Sequence, residues 1–207
     1  MIKINKGHEP LAWTQKKETP GFTLYEPIPE LRDALLKEQG YICAYCMRRI
    51  PVTKRDPNTT ETSKIEHIKC REFNQDLQLD YDNMVICCSG NLNNKPHCDK
   101  SKDNADISFD LFKPFLQNSI SYSSKSGLIK SSNPVWNNEM NNILNLNHSL
   151  LTYNRKEALE GVIKRLDKKR WTPAEVRNEL QKWENLDRSG KYKQYCGIII
   201  SFLKKKK

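Results

Sequence analysis

Two pairs of cysteines bracket a Glu-His dipeptide, and this arrangement restricts how the chain can fold more than any other feature. Cys43-Ala44-Tyr45-Cys46 is followed by Ile65-Glu66-His67-Ile68. Asp82-Asn83 then leads into Cys88, and His97-Cys98-Asp99 closes the segment. A two-residue gap lets one tight turn present two thiolates, the half-site that tetrahedral zinc favours. Cys88 and Cys98 can supply the other half, across a loop of nine residues. Cys87 competes with Cys88. Neighbours on a strand point to opposite faces, so only one of the two should reach the metal. The plainer alternative is a set of buried thiols without metal. Cys70 and Cys196 have no partner at ligand spacing and read as structural.

At 207 residues the chain can build one good core, or a core with a small appended module. Charged residues make up 29% and hydrophobic ones 37%, a polar but foldable composition. No apolar run approaches the roughly 20 residues that span a bilayer. Met1-Ile2-Lys3-Ile4-Asn5-Lys6 lacks the apolar stretch of a signal peptide. A cytoplasmic location with no membrane partner is therefore expected. In that reducing compartment, an odd set of seven cysteines suits metal ligation or buried thiols better than disulfides. Positive charge is concentrated. Residues 155–207 hold 16 Lys and Arg against 7 Asp and Glu, which is +9 of the total +10. Such clustering suits a nucleic-acid partner through phosphate contacts and counterion release. It also suits an ordinary solvated helical surface with a solubilising lysine tail.

The pattern along the chain predicts an α+β fold. Residues 1–28, with Pro10, Pro20 and Pro27, read as an irregular arm. Residues 29–115 carry the cysteine frame and form the expected core. Pro29 suits a first helical turn and Gly40 a C-terminal cap, with Leu31, Leu35 and Leu36 on the apolar face. Residues 51–63 read as a loop, 64–68 and 84–88 as short strands, and Gly90 to Pro96 as a loop returning the chain to Cys98. Residues 116–134 read as a hairpin or a loose linker. From 135 to 207 the spacing is helical and the surface basic, a region expected to pack on the core. Thr172-Pro173-Ala174-Glu175 is a capping box, and 191–203 reads as the last helix.

Zinc does not explain why Glu66, His67, Asn83 and Asp99 lie within the cysteine frame. Two carboxylates, Glu66 and Asp99, suit a hard cation such as Mg²⁺. A neutral imidazole such as His67 suits removal of a proton from water near pH 7. Asp99 directly follows a cysteine, so a bound zinc would fix its position. Lys64, Lys100 and Lys102 are candidate phosphate contacts.

Taken together, these motifs resemble the HNH endonucleases with a zinc-bound ββα-metal core. The similarity extends nearly end to end to the HNH proteins of Septu and retron antiphage systems, the PtuB family. It includes Lys3-Ile4-Asn5-Lys6-Gly7-His8-Glu9-Pro10, the segment around Cys43 to Ile50, Lys64-Ile65-Glu66-His67, Leu79-Asp80-Tyr81-Asp82-Asn83, His97-Cys98-Asp99 and Leu144-Asn145-Leu146-Asn147. The resemblance implies that His67 is the general base and Glu66 an acidic metal ligand. It implies that Asn83 orients the histidine-bearing loop and that Asp99 stands where the family has His or Asn. It implies structural zinc on Cys43, Cys46, Cys88 and Cys98, with Cys88 favoured over Cys87 by register. Mg²⁺ or another divalent cation is the implied catalytic metal. The implied partners are DNA or RNA, a PtuA-like ATPase, and in some systems a retron reverse transcriptase with its msDNA. A non-catalytic zinc module that binds nucleic acid or a partner protein is the rival reading.

Overall fold

Helix α1 (Leu11–Lys17) lies within the arm expected to be irregular, because Pro10 supplies the extended residue from which a helix can start. The fully buried Trp13 anchors it, its indole Nε1 donating to Leu79 O at 3.2 Å. The computed structural model describes residues 1–51, 63–92 and 95–206. Helix α2 (Pro29–Glu38) begins on Pro29 and buries Leu31, Leu35 and Leu36. Gln39 at its end is buried. The Gln39 amide donates to Ile42 O at 3.0 Å and Ile86 O at 2.8 Å, and accepts from Ile86 N at 2.7 Å. One side chain thus ties the helix end, the first cysteine turn and a strand together.

Strands β1 (Lys64–His67) and β2 (Met84–Cys87) pair antiparallel, with Glu66 opposite Val85 and His67 opposite Met84. Two 3-10 turns, Gln75–Leu77 and Tyr81–Asn83, shape the connection between them. Strands β3 (Asn91–Leu92) and β4 (Lys95–Pro96) form a minimal ladder inside the loop expected after Gly90. Helix α3 (Asp99–Lys102) follows directly. The loop read over 51–63 lies, for residues 52–62, outside the described residues.

Helix α4 (Pro114–Ser119) leads into strands β5 (Ile120–Tyr122) and β6 (Ile129–Ser131), which pair antiparallel. Residues 116–134 therefore contain a hairpin rather than a linker. Helix α5 (Pro134–Asn138) runs into a π-turn, Glu139–Ile143. Helices α6 (Ser149–Asp167), α7 (Pro173–Glu184) and α8 (Cys196–Lys204) complete the chain. The last helix starts at Cys196 rather than near 191. The preceding segment is held in a loop, where Tyr192 N donates to Gly40 O and Tyr195 N to Met47 O. The fold is α+β, with eight α-helices and three two-stranded antiparallel sheets among the described residues. One apolar cluster gathers α2, the cysteine turn, β2 and the hairpin. A second gathers α6, α7 and α8. No helix among the described residues is long and apolar enough to cross a membrane.

Two glycines in the left-handed region separate backbone strain from crowding. Gly90 (φ +70) would place an added Cβ 2.4 Å from His97 O and 2.9 Å from Lys100 N, whereas Gly190 (φ +72) faces open space. Gly190→Ala is expected to cost about 1 kcal/mol, the left-handed penalty alone. Gly90→Ala should cost that and roughly 1–3 kcal/mol more for overpacking against backbone. Urea midpoints measure both variants, and equal losses would refute the crowding.

Candidate metal centre and adjoining cleft

The Sγ atoms of Cys43, Cys46, Cys88 and Cys98 all lie within 4.8 Å of one another, and all four residues are buried. Cys43 and Cys98 are 3.9 Å apart, and Cys46 and Cys88 are 3.7 Å apart. Tetrahedral zinc with Zn–S near 2.3 Å requires sulfur atoms about 3.8 Å apart, so the four thiols fit a metal such as zinc. The turn over 43–46 is closed by Met47 N donating to Cys43 O and by Cys43 N donating to Arg48 O. It is docked on β2 through Ala44 N to Ile86 O. Burial acts to raise the Cys43 thiol pKa. Hydrogen bonds from Cys46, Cys87, Cys88 and Cys98 outweigh it and hold Cys43 well below the usual thiol range. Cys88 and Cys98 are pushed well up, Cys88 first by its bonds to Cys43 and Cys46 and Cys98 first by burial. Cys87 is also buried but stands outside the four-sulfur set.

His97 packs on this cluster. Its Nδ1 lies 3.1 Å from Cys98 Sγ, and its buried Nε2 has no hydrogen-bond partner among the described residues. Burial lowers its pKa to about 4, so the ring is neutral. Cys98 takes φ +52, and this turn of the backbone swings the next residue, Asp99, away from the sulfurs to open α3.

An open cleft of about 710 Å³ adjoins the cluster, with Lys64, Glu66, His67, Arg71, Asp99 and Lys102 in its walls. Glu66 and Asp99 are close enough to share a proton, and their acidities diverge accordingly. Burial first, then the hydrogen bond with Asp99, pushes Glu66 up to about 8. For Asp99, burial acts upward, but bonds from Glu66 and Lys64 hold its pKa below the usual range. Each carboxylate also carries a lysine: Lys102 Nζ lies 2.9 Å from Glu66 Oε1, and Lys64 Nζ lies 3.1 Å from Asp99 Oδ2. Tyr45, between the two cysteines of the first turn, donates its hydroxyl to Glu66 Oε1 at 3.4 Å. The cysteine turn thus supports the carboxylate directly. Two facing carboxylates are a suitable donor set for a hard divalent cation, which would compete with the Lys102 ammonium for Glu66.

His67 is buried at the end of β1. Its Nε2 contacts Gln78 O at 2.9 Å, a contact that requires the proton on Nε2 and leaves Nδ1 as the free basic nitrogen. Burial lowers its pKa to about 4, against a small upward push from the Gln78 carbonyl, so the ring is neutral at pH 7. Tyr25 meets the ring edge-on, with centroids 4.6 Å apart. The Gln78 side chain holds Tyr25 in place, accepting from Tyr25 N at 3.2 Å and donating to Thr23 O at 3.2 Å. Asn83 accepts from Lys69 N at 2.8 Å and donates to Lys69 O at 3.0 Å and Leu77 O at 3.1 Å. It stitches both sides of the loop that carries Gln78.

The structure therefore brings Glu66, His67 and Asp99 to one cleft and places Asn83 behind it as a brace. Lys64 and Lys100 line the cleft. Lys102, expected as a phosphate contact, is instead only 2% exposed. Its ammonium lies against Glu66 and donates to His67 O at 3.0 Å, so an internal contact replaces a surface role. Sequence reasoning missed Tyr25, Tyr45 and Gln78 as parts of the site. Tyr45 had a signal, since it lies inside the Cys-x-x-Cys turn. Tyr25 had none, because a contact across 42 residues leaves no local pattern. The chain matches no protein-family model and no curated protein.

Metal analysis of purified protein should find one zinc per four-cysteine set. Cys88→Ser should lose it, while Cys87→Ser should retain it. Removing the metal with a chelator should abolish the sharp thermal transition, since metal binding at such a site is coupled to folding. Full zinc content in Cys88→Ser would show that the fourth ligand lies elsewhere.

Proposed function

We propose that the protein is a metal-dependent endonuclease of the HNH type that hydrolyses phosphodiester bonds. The observation that carries this reading is the state of His67: neutral, locked through Nε2, with Nδ1 free, beside a facing pair of carboxylates in an open cleft. The paired strands β1 and β2, followed after the small β3–β4 ladder by helix α3, fit the ββα arrangement, and the four-cysteine set fits its structural zinc.

In this mechanism His67 Nδ1 accepts a proton from water as the water oxygen adds to phosphorus and the ester oxygen leaves on the opposite side. The Gln78 carbonyl fixes the tautomer and stabilises the imidazolium that forms. Asn83 keeps that carbonyl in place. Glu66 and Asp99 would hold a divalent cation such as Mg²⁺, which supplies positive charge for the phosphoryl oxygens and the departing oxygen. The Tyr45 hydroxyl orients Glu66 for that task, and Lys102 holds the carboxyl until a cation takes its place. Attack by external water makes no use of a 2′-hydroxyl, so DNA and RNA, including tRNA, are both substrates of this chemistry. Similarity to the PtuB family extends the proposal to an antiphage effector working with a PtuA-like ATPase. In a retron setting it would also work with a reverse transcriptase and its msDNA.

The non-catalytic alternative, a zinc module that only binds, has no use for His67 or for a pair of carboxylates. Wild type and His67→Ala, each with Mg²⁺ and with or without the ATPase partner, should be incubated with plasmid DNA and with total tRNA. His67→Ala is expected to lose roughly 10²–10⁴ in cleavage rate while keeping its zinc. Cleavage at the wild-type rate by the variant would sink the mechanism.

A further inference from the structure

The turn over residues 70–74 forms one wall of the cleft, and its outward side chains have no role in the chemistry above. The turn is tightly closed: Asn74 N and Asn74 Nδ2 both donate to Cys70 O at 3.0 Å. Its start is pinned by Cys70 N donating to Asp106 Oδ1 at 2.9 Å. What it projects is therefore presented from a fixed base.

Arg71 is exposed and lines the cleft. Its guanidinium carbon lies 4.9 Å from the Tyr25 ring centroid. That ring is also the one that meets His67 edge-on, so a single tyrosine positions both the candidate base and the arginine. Among the described residues no carboxylate stands within ion-pair distance of Arg71. The neighbouring Glu72 instead accepts from Asn104 Nδ2 at 2.7 Å. A guanidinium stacked on an aromatic face keeps its hydrogen-bonding edge free, and that edge matches a phosphate. Two residues on, Phe73 is 74% exposed. A lone exposed phenylalanine is ordinary. This one stands on a rigid turn beside a guanidinium with no ion pair among the described residues, the pairing of cation and aromatic that grips single-stranded nucleic acid.

We propose that this turn is the strand-gripping element of the cleft: Arg71 binds a backbone phosphate next to His67, and Phe73 stacks on an adjacent unpaired base. The proposal deepens the nuclease reading and rests on it. A phosphodiester backbone occurs in both DNA and RNA, and the turn as described grips either.

The test uses the full-length protein carrying His67→Ala as parent, so that bound strands stay intact. Affinity for fluorescein-labelled single-stranded DNA and RNA oligonucleotides of the same base order is read by anisotropy across a salt series. Arg71→Ala should weaken binding roughly tenfold and reduce the log–log salt slope by about 0.7, the loss of one phosphate contact to a single strand. Arg71→Lys should restore the slope and part of the affinity. Phe73→Ala should also weaken binding roughly tenfold but leave the slope unchanged, because stacking releases no counterions. Thermal melts matching the parent show that both exposed substitutions fold. An unchanged slope in Arg71→Ala overturns the phosphate contact, and unchanged affinity in Phe73→Ala overturns the stacking. Absence of measurable binding by the parent overturns both. The two readings fail separately: the nuclease proposal fails if protein with His67 intact cuts neither DNA nor RNA, whereas the grip fails if that protein cuts but the slopes do not move.

Discussion

Everything around the cleft depends on four thiols held in one small buried volume. Cys43 and Cys46 come from the turn after α2, Cys88 from the residue after β2, and Cys98 from the residue before α3. Four buried sulfurs cannot all ionise without a cation, because each thiolate added to a low-dielectric site repels the others. With a zinc ion the same crowding becomes a tetrahedral cross-link among three chain segments. Those segments support the cleft: Tyr45 on the first turn bonds Glu66, β2 pairs with the strand that carries Glu66 and His67, and α3 carries Asp99 and Lys102. The minimal β1–β2 sheet, four residues per strand, is too short to be stable alone.

The cleft itself is balanced close to neutrality. Two carboxyl groups, Glu66 and Asp99, face two ammonium groups, Lys102 and Lys64. This lowers the cost of burying charge next to His67. A divalent cation bound at this pair would have to displace both lysine contacts. His67 is tuned differently. Its neutrality comes from burial, and its tautomer comes from one backbone carbonyl.

The N-terminal arm has a larger part than its composition suggests. Gln78 bridges it to the β1–β2 connection, so Tyr25 reaches His67 and Arg71 together. The basic C-terminal helices dock on the other side of the cysteine turn, through backbone bonds from Tyr192 and Tyr195. Some of their charge is paired on the helix surface, as in Arg165 with Glu179 and Lys169 with Glu175. Clustered positive charge there is in part a solvated ion-pair surface.

Much of this was legible in the residues alone. Ligand spacing announced the cysteine cluster, because coordination geometry imposes a local pattern. Pro29, Gly40 and Thr172 marked helix ends by φ restriction and capping. The juxtaposition of Glu66, His67 and Asp99 was also expected, since each lies next to a strand or cysteine landmark. Lys102 was misassigned, because nothing in a sequence distinguishes a lysine that faces solvent from one that faces a buried carboxylate. The start of the last helix was missed because hydrogen bonds to Gly40 and Met47, far away along the chain, hold residues 191–195 in a loop. The chain by itself determined which cysteines cluster and where α2 and α7 begin, because these depend on short-range geometry. Only the tertiary structure decided which nitrogen of His67 is free, which lysine neutralises which carboxylate, and that Tyr25 belongs to the site. Those are set by burial and by contacts between segments that sequence spacing does not relate.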